Sequence, residues 1–160
     1  MVKRGIAMAE PMAHSVWVHV KNELLESVHA EQAFCSIVAE MLLLPQFHSQ
    51  TGTRDIYREN YETSLLRNIA VGHLTRLQAG EPQTRLVPLT VEALATAARH
   101  DHRCRSAIRT LTAATPDDQV WLRAANNWRE QREYWLHRAA ATLKSGIAPD
   151  TWEQGINMAR

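Results

Sequence analysis

The stretch Ser15–Phe34, "SVWVHVKNELLESVHAEQAF", sets the period on which the chain is built. Val16, Trp17, Val20, Leu24 and Val28 recur at steps of three and four, which gathers them on one face of a helix, and Ser15 offers the side-chain oxygen expected of an N-cap. From Ala30 the same period resumes through Ala33, Phe34, Ile37, Val38, Met41 and Leu42, and Pro45 closes it. Two successive helices are therefore expected. No stretch alternates apolar and polar residues for long enough to argue for a strand.

Outward from this stretch the chain continues in helical period. The polar segment "QFHSQTGTR" from Gln46 reads as a loop, after which Asp55 is placed to cap a third helix with Ile56, Tyr57, Tyr61, Leu65, Leu66, Ile69, His73, Leu74 and Leu77 along its apolar stripe. Gly80, Pro82 and Pro88 break that helix, and Thr90 is expected to open a short fourth one carrying Val91, Leu94, Ala95 and Ala98. The polar run "RHDHR" from Arg99 interrupts the pattern before Cys104, Ile108 and Leu111 mark another short helix. In "TPDD" from Thr115, a capping Thr, a first-turn Pro and two aspartates at the positive helix end signal a new start. That helix passes Trp121, Leu122, Ala125, Trp128, Trp135, Leu136 and Ala139 and ends at Gly146, and Pro149, Asp150 and Trp152 begin a terminal one. The fold class expected is all-α: a compact bundle of about six to seven helices forming a single domain over 15–160, preceded by a flexible segment 1–14.

Composition narrows the function classes. A chain of 160 residues supports one substantial core. With 18 Lys and Arg against 17 Asp and Glu the net charge is +1, so nucleic acid and anionic membranes are disfavoured as partners. The longest apolar run, "MLLLP" from Met41, is far too short to span a bilayer, and Glu10 and Pro11 break any signal-peptide core, so a cytoplasmic location is expected. Cys35 and Cys104 stand apart from each other and fit a reducing compartment. The His100–His102 pair lacks the Glu-x-x-His partners of a helical di-metal site, and neither HExxH nor a Gly-rich phosphate loop occurs, so no metal and no cofactor is expected. Trp121, Trp128 and Trp135, seven residues apart, fit an apolar seam that is buried or faces another subunit, with Arg123, Arg129, Arg132 and Arg138 laid along its flanks.

The stretch "VWVHVKNELLESVHAEQAFCSIVAEMLLL" also resembles the start of serine acetyltransferases, through Trp17, Val20, Lys21, Glu23, Glu31, Ser36, Leu42 and Leu43. Glu59, Asn60, Ser64, Leu65, Ala70 and Leu74 in "ENYETSLLRNIAVGHL" resemble a later segment of that family, and "LHRAAATLKSG" looks like its long helix ending in glycine. The similarity covers the helical N-terminal domain, from about Val16 to Gly155, and leaves out the hexapeptide-repeat catalytic domain.

The resemblance implies a relation to cysteine biosynthesis from serine and a role in subunit packing or regulation, with a homo-oligomer or a protein partner. Acetyl-CoA would enter only if the chain were part of a complete family enzyme. In the family an aspartate of the helical domain reaches the serine substrate, and the matching turn "TPDD" makes Asp118 the candidate equivalent, beside its plainer reading as a helix-start charge. The alternative function is an unrelated all-α protein–protein interaction module that uses the helix bearing Trp121, Trp128 and Trp135.

Overall fold

The computed structural model describes residues 2–48 and 50–160, with side chains from His14 onward. The order is α1 (Val2–Leu43), α2 (Pro45–His48), α3 (Thr51–Gln78), α4 (Gln83–Ala114), α5 (Gln119–Gly146) and α6 (Pro149–Ala159), with no strand among the described residues. The all-α expectation holds. The segment 1–14 has only His14 among its described side chains, and its backbone from Val2 is the beginning of α1.

The four long helices form a closed ring in which α1 packs on α3 and α5, and α4 packs on the same two, so that α3 and α5 lie across a diagonal. Short connections between neighbours make the ring an up-and-down bundle, and α6 folds back along α4. The α3–α4 turn uses Gly80 at φ +87°, a left-handed conformation that glycine adopts without a Cβ penalty. There the Glu81 N–H donates to the Arg76 carbonyl at 3.1 Å, closing the helix end.

Several boundaries differ from the sequence expectation, each for a physical reason. Ser15 and Ala30 lie inside a single helix, because Trp17, Val20, Leu24, Ala30, Phe34, Val38 and Met41 are all buried along one uninterrupted inner face. α4 likewise runs unbroken through Thr90 and "RHDHR": Thr90 is buried and donates its hydroxyl to the Leu86 carbonyl at 2.7 Å, and Asp101 turns inward. Pro88 lies inside α4, in its second turn, where it has no N–H to give the Thr84 carbonyl, and the helix continues past it. "TPDD" connects rather than starts a helix, since the Thr115 hydroxyl donates back to the Leu111 carbonyl at 2.7 Å and ends α4.

The core is in two parts. One apolar cluster, including Trp17, Leu24, Leu74, Leu94, Leu136 and Leu143, fills the end of the bundle nearest the α3–α4 turn. The other, including Phe34, Met41, Phe47, Ile56, Ile108 and Leu122, fills the opposite end, where Phe47 of α2 closes it. Gly155 lets α6 approach α4 closely, because a Cβ there would overlap Val91 and stand 2.8 Å from the Pro88 carbonyl oxygen. Gly155→Ala is therefore expected to cost about 1–3 kcal/mol, an overpacking penalty measurable by urea unfolding monitored by circular dichroism.

Candidate functional site

α3 carries its residues in an unusual sense. Its inner face presents Asn60, Thr63 and Arg67, all buried, between Ile56 and the apolar trio Ala70, Leu74 and Leu77, with Thr53 buried one turn before Ile56. Its outer face presents Tyr57, Tyr61, Leu65 and Ile69, which are 45%, 58%, 43% and 40% exposed. Tyr57, Tyr61, Leu65 and Ile69 of the stripe read from the sequence thus lie outside the bundle, whereas its Ile56, Leu74 and Leu77 are core, and polar side chains hold the middle of the inside. An isolated exposed apolar residue carries no information, but a bulky apolar row over a buried polar row does.

The buried polar row belongs to a charged layer that separates the two apolar clusters and draws on all four long helices. From α3, Arg67 donates to Glu31 Oε2 of α1 at 2.5 Å and to the Ser27 hydroxyl at 3.1 Å. From α5, Arg132 donates through Nε and Nη2 to Asp101 Oδ1 of α4, at 3.1 and 2.8 Å, and through Nη1 to Asn60 Oδ1 of α3. Arg129 Nη1 donates to Asp101 Oδ2 at 2.9 Å and to Glu133 Oε1 at 2.8 Å. Three guanidiniums, Arg67, Arg129 and Arg132, thus meet three carboxylates, Glu31, Asp101 and Glu133, so charge balances within the layer. Burial pushes the Glu133 carboxyl up, but the hydrogen bond and charge of Arg129 outweigh it and hold the group below its ordinary value. The Arg132 guanidinium also lies 5.1 Å over the Phe34 ring, where its planar cation and the π-face attract.

Arg129 and Arg132 are therefore not the flanking arginines of a Trp seam. They occupy inward positions of the period Leu122, Ala125, Arg129, Arg132, Leu136, Ala139 and Leu143, each of them buried. The signal was present in that spacing, but a charged residue at an inward position reads as an interruption until a partner is visible across the bundle. Asp101 was missed likewise inside "RHDHR". Next to it His100 Nδ1 meets Glu59 Oε2 at 2.6 Å, tying α4 to α3.

Trp121, Trp128 and Trp135 are half-buried. Trp121 and Trp128 pack against the apolar cluster at the α2 end, and Trp128 stands edge-on to His29 of α1 at 6.1 Å. Trp135 stands edge-on to Tyr134, and the Arg138 guanidinium lies over its ring while also pairing with Glu23 of α1 at 2.9 Å. Asp118 occupies the residue before α5, half-buried, and accepts from Gln46 Nε2 at 3.4 Å. It is brought close to neither the tryptophans' outer partners nor the charged layer by any hydrogen bond or ion pair among the described residues.

The chemistry open to these groups is limited by their partners. The carboxylates of the layer are held by guanidiniums, and burial raises the Cys104 thiol to about 11, which leaves it protonated and weakly nucleophilic. Among the described residues no cluster of His, Cys, Asp and Glu is placed to hold a metal ion, and no helix is long and apolar enough to cross a membrane. Arg132→Met removes the donor to Asn60 and two bonds to Asp101, so it is expected to cost about 3–5 kcal/mol in chemical denaturation; a loss below about 1 kcal/mol would contradict the role assigned to the layer. Compared with known protein families, curated proteins and solved structures, the chain finds no match.

Proposed function

We propose that the protein is a helical association module in which two copies pair through the outer face of α3. The observation that carries this reading is the inverted α3, with Tyr57, Tyr61, Leu65 and Ile69 outside and Asn60, Thr63 and Arg67 inside. These four side chains follow one another at steps of four residues, which is one ridge of the kind that interdigitates when two helices cross at about −50°. Such packing needs a matching ridge on the partner, and a two-fold axis supplies an identical one. Arg54, Arg58, Asp55 and Glu62 border the row with both signs of charge, so a second copy meets no single-sign repulsion. Gly72, one turn beyond Ile69 and with open space where a Cβ would stand, lets a second helix approach closely. The indoles of Trp121, Trp128 and Trp135 are engaged within their own chain, and the four exposed residues of α3 form a contiguous row.

A packing role is also what the resemblance to the helical domain of serine acetyltransferase implies. The relation to cysteine synthesis and to acetyl-CoA is a further proposal resting on Trp17, Lys21, Glu23 and Glu31. Within the bundle Trp17 is core, Glu23 pairs with Arg138 and Glu31 with Arg67, so these residues also have purely architectural reasons to be present.

Size-exclusion chromatography with light scattering at about 100 μM chain should give the mass of a dimer, and Tyr61→Glu with Leu65→Glu should return a folded monomer, because an interface must bury on the order of 1,000 Å² of apolar-rich surface to persist. A wild-type monomer at that concentration would overturn the pairing. Incubated with serine and acetyl-CoA, the purified chain is expected to release no coenzyme A thiol, and steady release would contradict packing as its sole role.

A further inference from the structure

A groove of about 400 Å³ opens on the outside of the bundle between α4 and α5. Its floor is apolar, formed by Ile108 and Leu122, which are 3% and 1% exposed and belong to the core cluster at that end. Three arginines line it: Arg105 and Arg109, one turn apart on α4, and Arg123 on α5. None of the three forms an ion pair among the described residues, in contrast to Arg129 and Arg132, which share a helix with Arg123 and are paired with carboxylates. The one acid lining the groove, Glu130, is occupied by Asn126, whose Nδ2 donates to it at 3.0 Å. The wall therefore carries a surplus of positive charge over an apolar base, on a protein whose net charge is only +1.

We infer that this groove binds a small amphiphilic anion, with a carboxylate or phosphate-monoester head held by Arg105, Arg109 and Arg123 and an apolar body laid along Ala113 and the arginine stems, above Ile108 and Leu122. Guanidinium groups suit that head because their planar N–H forks match two oxygens of a carboxylate or phosphate at once. The lining demands more of the ligand than charge, since inorganic phosphate would leave Ala113 and the methylene stems of Arg109 and Arg123 in water. The volume falls within the range of small-molecule pockets and takes one ligand of modest size, not a polymer. Nothing in this inference depends on the pairing of α3, which lies across the diagonal from α5.

Isothermal titration calorimetry of the full chain in low-salt buffer tests it with four probes: octanoate, octyl phosphate, 1-octanol and inorganic phosphate. Saturable binding of octanoate, octyl phosphate or both is expected, and whichever of these two binds more tightly names the head group. 1-Octanol and inorganic phosphate should each bind at least about tenfold more weakly, because each lacks one half of the recognition. Arg109→Gln combined with Arg123→Gln should weaken the better probe by about tenfold or more, since each removes a charge-assisted hydrogen bond. Both side chains are exposed and unpaired, so helicity is expected to be unchanged; Ala113→Glu, which places a carboxylate on the exposed groove wall, provides an independent route to the same loss. The inference is overturned by absence of saturation for both anionic amphiphiles, by octanol binding as tightly as octanoate, or by unaltered affinity in the folded variants.

Discussion

Arg132 reaches from α5 to Asp101 on α4, to Asn60 on α3 and, at 3.8 Å, toward Glu31 on α1. One side chain thus touches every long helix, and the surrounding layer exists because its charge cannot be left alone in the interior. The desolvation of each buried ion costs several kcal/mol, which is offset only when geometry is good and the remaining donors and acceptors are used. Here most are used. Glu31 Oε1 and Arg129 Nε have no hydrogen-bond partner, and the first of these still lies near the Arg132 cation. The net gain in stability from such a layer is small, but its geometric demand is strict. Sliding any helix by one turn, about 5.4 Å, would part Arg67 from Glu31 or Arg132 from Asp101 and strand a charge.

That constraint explains what could be read in the sequence and what could not. Apolar period alone identifies helices wherever inward residues are apolar, as in Trp17 to Leu24, Phe34 to Met41 and the α5 run around Leu136. It fails where the inside is polar. On α3 it follows Tyr57, Tyr61, Leu65 and Ile69 to the wrong face, and on α4 it sees a break at "RHDHR" where Asp101 is a core residue. A lone charge in a helical pattern has no meaning until its counter-charge is placed, and the partners here are 28 to 36 residues apart in the ion pairs of Arg129, Arg132 and Arg67. The arginines of the α4–α5 groove were legible only as scattered charge, because Arg105, Arg109 and Arg123 converge through the packing of two helices.

With the middle of the interior devoted to charge, the buried apolar residues are divided between the two ends of the bundle. The row Tyr57, Tyr61, Leu65 and Ile69 on α3 exposes side chains that an ordinary bundle would turn inward, whereas the floor of the α4–α5 groove is itself part of the core. The α3 row and the α4–α5 groove sit on different parts of the ring and share no residue.

The α1–α5 seam joins the first long helix to the last one of the ring, with His29 against Trp128 and Glu23 against Arg138 across roughly a hundred residues of chain. Sequence-distant pairing of this kind closes late, because the loop entropy must be lost before the contact forms. The α3–α4 hairpin is local and closes early by the same reasoning. During synthesis the cluster that holds Phe34 and Val38 of α1 gains Phe47, Ile56 and Ile108 first and is completed only when Leu122 and Ala125 of α5 have emerged.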